Sequence, residues 1–318
     1  MTLQILMLLA GLALILFGAN WLVDGSSSIA KRFGISEFVI GLTIVGIGTS
    51  SPEMVVSFMS SLQGKADMAI GNIVGSNIFN TLMILGITAL VAPMAITKNN
   101  LKRDIPLNIV VTVLLIILGM NFTLFGKGQD QISRLDGAIL LAVFAWYLWT
   151  SFKSDQGDTA DEEGIKEYKT GISVLMIVAG LAGLIFGGRL FVNSATELAK
   201  MFGVSDKFIA ITVMAAGTSM PELATCVVAA LKGRGQLALG NVLGSNISNI
   251  LLILGGASLI APLSFNGMTP VDLGLILISA IIIFASAFMF KKREIDRYEG
   301  AIFLLLEAGY MWYLIANI

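Results

Sequence analysis

The sequence contains no histidine and a single cysteine, Cys226. Without imidazole there can be no histidine ligand and no histidine proton relay. One cysteine excludes an intramolecular disulfide and any cysteine-based metal cluster, so Cys226 reads as a small residue in a helix interface. Charge is scarce as well. Only 13% of the 318 residues are charged and the formal net charge is −1, where soluble domains average about 25%. That balance does not suit a nucleic-acid partner. No G-x-x-x-x-G-K-[ST] loop, H-E-x-x-H motif or nucleophile–base pair is legible, which argues against an ATP-driven pump and against an intramembrane enzyme.

Apolar length is what the chain has instead. Hydrophobic residues make up 56% of it, and the mean hydropathy is +0.87. Ten apolar segments fall near 3–23, 38–62, 67–92, 105–125, 132–152, 171–196, 207–231, 236–262, 271–290 and 300–317. As helices, they can cross a hydrocarbon core of ~30 Å, so the expected fold is an all-α polytopic membrane protein. Met1 to Gln4 carry no basic n-region, so the first segment is expected to be a retained span rather than a cleaved signal.

Lysine and arginine set the expected orientation, because cytoplasmic loops are enriched in them. With the N-terminus outside, fourteen cations fall in inside loops, among them Lys31, Arg32, Lys102, Arg103, Lys232, Arg234, Lys291 and Arg293. Only Lys65, Lys127, Arg134, Lys200 and Lys207 fall outside. Both termini are therefore expected outside, in a prokaryotic cytoplasmic membrane. The one long hydrophilic stretch, SDQGDTADEEGIKEYK (154–169), lacks EF-hand spacing and reads as a solvated joint. It divides the chain into 1–152, a cytoplasmic acidic linker at 153–170, and 171–318.

The two halves repeat each other at an offset of 169 residues. GTSSPE (48–53) returns as GTSMPE (217–222), and GNIVGSNIFN (71–80) as GNVLGSNISN (240–249). FGANWLVDGSSSIAKRFGIS (17–36) matches FGGRLFVNSATELAKMFGVS (186–205), whereas helices after the third in each half align poorly at this offset. Five spans per half is an odd number, so the second half must insert upside down. Inverted repeats of this kind are typical of secondary transporters, with the site at mid-depth where the repeats meet.

Glu53 and Glu222 sit in these motifs, and a carboxylate at the bilayer centre costs ~3 kcal/mol on insertion scales. A lone buried glutamate can be a structural hydrogen-bond partner; two at symmetric positions in matching motifs point to function. Pro52 and Pro221 lack an amide hydrogen, so the carbonyls of Gly48 and Gly217, four residues earlier, should lose their helical donor. A broken helix with free oxygens around a carboxylate suits a hard cation. Calcium takes 6–8 oxygens, and two glutamates neutralise one Ca2+. Ser50 and Ser219 share a helix face with their glutamates. Ser76 with Asn80, and Ser245 with Asn249, form uncharged faces suited to Na+ or to a supporting polar shell.

The remaining intramembrane polar groups read differently. Glu307 has no counterpart in the other half, and Arg189 near a span end is expected to snorkel. The Trp and Tyr residues at 146, 147, 149, 310, 312 and 313 are expected to anchor the interface.

At these motifs the sequence resembles the Ca2+:cation antiporter superfamily, specifically the prokaryotic sodium/calcium exchangers, over essentially its whole length. The resemblance implies ten helices in two inverted five-helix repeats and a Ca2+ site on Glu53 and Glu222. It further implies oxygens from Thr49, Ser50, Thr218 and Ser219, backbone help from Gly46 and Ala215, and completion by Ser76, Asn80, Ser245 and Asn249. Some family members carry an acid where Asn80 or Asn249 stands here. Amides at both positions leave two formal charges, and both Na+ and H+ remain open as the driving ion. The implied function is antiport of Ca2+ against Na+, or against H+ on the same fold, with no cofactor and no obligate protein partner. A channel would need a continuous pore, which a mid-depth site between inverted halves does not suggest.

Overall fold

The computed structural model describes residues 1–126, 129–154, 165–203, 215–291 and 293–316. Most of the acidic linker and the start of the expected seventh segment lie outside the described residues. Each of the ten expected segments contains a helix. Helix α1 is Thr2–Phe33, α2 Glu37–Thr49 and α3 Ser51–Leu62, α4 Ala66–Val91, α5 Ile105–Gly119 and α6 Arg134–Ser154. The second half follows with α7 Thr170–Met201, α8 Met220–Leu231, α9 Gly235–Ile260, α10 Pro270–Ser286 and α11 Arg297–Ala316. Among the described residues, six helices (α1, α4, α6, α7, α9 and α11) are long and apolar enough to cross a bilayer, and the bent pair α2–α3 makes a seventh. Helices α8 and α10 are shorter and apolar.

Glycine spacing on α1 and α7 lets the two halves meet backbone to backbone. A Cβ on Gly18 would stand 2.7 Å from the Gly180 carbonyl, one on Gly11 2.9 Å from that of Gly187, and one on Gly25 2.8 Å from that of Ser173. As the number rises along α1 it falls along α7, so the helices run antiparallel. Under the 169-residue offset, Gly11 corresponds to Gly180 and Gly18 to Gly187. The Gly18–Gly180 and Gly11–Gly187 contacts are therefore one contact made twice with the halves exchanged, as a two-fold relation requires. The halves are inverted, as expected.

Two short antiparallel strand pairs repeat the pattern at the ends of the molecule. Strand β1 (Met94–Ala95) pairs with β4 (Glu294–Ile295), and β2 (Gln131–Ile132) pairs with β3 (Leu263–Ser264). Every pair joins one half to the other. They also correct the expectation that the later helices do not repeat. From β2 and β4 onward the offset is 163, and at that register RLDGAILLAVFAWYLW (134–149) matches RYEGAIFLLLEAGYMW (297–312) at eight of sixteen positions. The first half is six residues longer before this helix, and that slip hides the match at 169.

The loops expected to be cytoplasmic gather at one end. Lys31 Nζ donates to the Ile165 carbonyl at 3.2 Å, and Arg32 to that of Tyr168 at 3.2 Å. Lys232 pairs with Asp24 at 2.7 Å, and Arg234 with Glu37 at 3.7 Å.

Candidate ion-binding site

The break after α2 builds the first half of the site. Ser50 leaves the helix with φ −76° and ψ 10°, Pro52 opens the next one, and α2 and α3 meet at 47°. Ser219 does the same in the second half, with φ −90° and ψ 8°, and Pro221 follows it. Glu53 and Glu222 thereby enter the first turn of α3 and α8, where the unpaired amides and the positive helix end favour a carboxylate.

Both glutamates are 1% exposed, and each is held by the other half. Ser50 Oγ donates to Glu222 Oε1 at 3.0 Å, and Ser219 Oγ donates to Glu53 Oε1 at 3.0 Å. Ser76 adds a 3.4 Å bond to the same Glu53 oxygen. Among the described residues, the second oxygens, Glu53 Oε2 and Glu222 Oε2, are buried and accept no hydrogen bond, and neither do Asn80 Oδ1 and Asn249 Oδ1. Buried polar atoms nearly always find partners. Two symmetric pairs of bare acceptor oxygens constitute a strong demand for positive charge. Among the described residues no three His, Cys, Asp or Glu side chains cluster, so any further oxygens around a cation here must be neutral ones.

Asn80 and Asn249 each open a wide π-helical turn within their helices, Asn80–Ile84 and Asn249–Leu254, a feature frequent at functional sites. Two asparagines not singled out from sequence set their orientation. Asn80 Nδ2 donates to Asn246 Oδ1 at 3.2 Å, and Asn249 Nδ2 donates to Asn77 Oδ1 at 2.9 Å. With both amide NH2 groups so engaged, both carbonyl oxygens are left over. Asn77 and Asn246 close the repeated G-S-N triplet, and this repetition was the available signal.

Other expected residues take different places. Thr49 is buried and its Oγ1 lies 3.1 Å from Asn241 Oδ1 and 3.4 Å from the Gly46 carbonyl. That carbonyl also accepts from Ser245 Oγ at 3.2 Å and from the Ser50 amide at 3.2 Å. Ser245 thus serves the backbone, while its counterpart Ser76 serves a carboxylate. The Gly48 carbonyl is not free as expected: Ser51 Oγ donates to it at 2.7 Å, replacing the donor that Pro52 removes. Met220 occupies the matching position before Pro221 and offers no hydroxyl to Gly217. Ala215 opens the short turn Ala215–Thr218. Cys226 stands where the first half has Ser57, and each receives an asparagine amide, from Asn241 at 3.3 Å and Asn72 at 3.1 Å.

The surroundings are not symmetric. Thr49 and Val23 are buried, whereas their counterparts Thr218 and Val192 are half-buried and line a cleft of about 210 Å³ with Pro52 and Pro221. Thr218 is thus reached from one side, and Thr49 is not.

Inverted halves that exchange hydroxyls and carboxylates at a buried site between them have the form of a membrane antiporter of cations. Comparison with known proteins narrows the class. The chain matches the family described as sodium/calcium exchanger protein over residues 3–153 and 172–316, and it belongs to that family. It is 34% identical to the sodium/calcium exchanger MaX1 of Methanosarcina acetivorans, over 98% of both chains. It is 37% identical to the inner membrane protein YrbG of Escherichia coli, over 82% of this chain and 81% of that one. A structure of the sodium-calcium exchanger NCX_Mj soaked with Na+ superposes with a TM-score of 0.84 at 32% identity, covering 100% of this chain and 99% of that one.

Proposed function

We propose that this chain exchanges Ca2+ for Na+ across a prokaryotic cytoplasmic membrane by alternating access, with both termini outside. The observation that carries this reading is the pair of cross-held glutamates, each presenting one bare buried oxygen. Two carboxylates neutralise one Ca2+, and neutral oxygens supply the rest of the 6–8 that calcium takes. Glu53 and Glu222 are the shared ligands. Asn80 and Asn249 offer their bare carbonyl oxygens, and Ser50, Ser219, Ser76 and Thr218 offer hydroxyls. Thr49, Ser245 and the carbonyls of Gly46 and Ala215 complete or support the shell. Na+, also a hard cation, takes the same oxygens singly. The half-exposed Thr218 against the buried Thr49 fits a transporter in one of two access states, with the exchanged asymmetry as the other.

The test is 45Ca2+ uptake into proteoliposomes with an outward Na+ gradient, an outward H+ gradient, or neither. Uptake driven by Na+ alone is expected. Uptake driven by H+ and indifferent to Na+ would replace sodium with protons as the coupling ion.

A further inference from the structure

The cleft that reaches Thr218 runs between α3 and α7. It is lined by Pro52 and Val55 from α3, Arg189 and Val192 from α7, and Pro221 from α8. Its volume of about 210 Å³ holds roughly seven waters at ~30 Å³ each. Arg189 lies nineteen residues beyond the start of α7, well away from the basic loops that gather beside Thr170 and close to the level of Gly187 and Gly11. Its side chain is exposed, and no carboxylate among the described residues pairs with it. A guanidinium without a carboxylate partner within a membrane helix is tolerated where it faces water, and Arg189 lines a cleft large enough to hold it.

The other half sharpens the point. Asn20 is the counterpart of Arg189 and is neutral; its amide donates to the Leu16 carbonyl at 2.8 Å. On that side the nearby cation, Lys232, is neutralised by Asp24 at 2.7 Å. The cleft that reaches Thr218 thus carries one guanidinium with no carboxylate on its lining, whereas the pocket on the Lys232 side sets Asp24 among Lys166, Lys232 and Arg234.

Building on the antiport reading, we propose that Arg189 is a selectivity residue of the outer entrance, setting a positive potential over the entrance and the site behind it that disfavours Ca2+ more than Na+. The physical reason is valence. A potential acts on each ion in proportion to its charge, so a factor f on the apparent affinity for one Na+ becomes f² for Ca2+. For an exposed charge, f is about two to four, which makes the Ca2+ factor roughly four to sixteen. The effect shrinks with ionic strength, because exposed charges are screened within ~10 Å at 0.1 M salt.

Arg189→Asn installs the residue of the opposite half. In proteoliposomes, half-saturation by external Ca2+ is expected to fall by the square of the factor seen for external Na+. The difference should fade when choline chloride is raised, and internal half-saturation should stay put. Lys65→Gln removes an exposed cation elsewhere on the same end and is expected to leave the Ca2+-to-Na+ ratio unchanged. Equal factors for the two ions, no change at all, or a change that persists at high salt would overturn the proposal. If the wild-type protein shows no Na+-dependent Ca2+ flux, the antiport reading fails by itself. The valence test is then read from equilibrium 45Ca2+ and 22Na+ binding to purified wild-type and Arg189→Asn protein, with the same outcomes deciding it.

Discussion

Glu53 takes its hydrogen bond from Ser219, and Glu222 takes its from Ser50, so each carboxylate depends on the other half of the chain. Glu53→Gln and Glu222→Gln should each abolish Ca2+ exchange while the protein still inserts. Removing one charge from a buried compensated site costs about 3 kcal/mol or more, over a hundredfold in affinity; near-normal flux in either variant would sink the shared site. The serines give a finer test. Ser50→Ala removes a hydrogen bond to a charged group, worth about 1.5–3 kcal/mol. In double-mutant cycles read by 45Ca2+ binding, Ser50→Ala should couple to Glu222→Gln and act nearly additively with Glu53→Gln. The reverse would mean that each serine serves its own half. The glutamates and serines were legible in the sequence because the motif is written twice. Asn77 and Asn246 were not, because their task is to fix which atom of a neighbouring amide is left bare, and that depends on contacts across the halves.

Helix breaks were the elements most readable in advance. Proline after a glycine-bearing turn removes a backbone donor, and the structure breaks there in both halves, although Ser51 restores the donor to Gly48 in the first. The wide turns at Asn80 and Asn249 were not readable, since an i→i+5 ladder has no composition of its own. The repeat of α6 in α11 was missed for a different reason: a six-residue change of loop length moves the register. The close approach of α1 and α7 makes a direct prediction. Gly180→Val would push a side chain against the Leu22 amide and the Gly18 carbonyl, whereas Gly171 on the same helix has open space around its Cα. Overpacking costs typically 1–3 kcal/mol, and more where backbone is the obstacle. Gly180→Val should lower the melting temperature in detergent and Gly171→Val should not. Equal melting of the two would show that the helices are not in contact.

The orientation proposed for the whole molecule rests on the basic residues of the loops that gather around Lys31, Arg32, Lys232 and Arg234. In a Cys226→Ser background, cysteines placed at Leu3 and Lys65 should react with impermeant reagents from outside, and one at Lys98 only after permeabilisation. The opposite accessibility would invert the topology. Net charge at the site leads to a second whole-molecule prediction. Two ionised glutamates carry −2, one Ca2+ brings the site to zero, and three Na+ bring it to +1. At three Na+ per Ca2+ each cycle moves one charge, and 100 mV biases the equilibrium by ~2.3 kcal/mol. Na+-driven Ca2+ flux clamped at opposite potentials should then differ in rate and in final gradient; voltage-independent flux would indicate an electroneutral cycle.

The crossed strands at the two ends have a further meaning. Strand β1 finds its partner in β4, and β2 in β3, just as Glu222 takes its serine bond from Ser50 and Glu53 its shorter one from Ser219, both across the molecule. A five-helix half made alone would have two strands without neighbours and a carboxylate without its cross-molecule serine. A second copy inserted in the opposite sense would supply both at once. On the proposed reading, the unit that holds a cation is the antiparallel couple, and two halves on one chain are made in equal number.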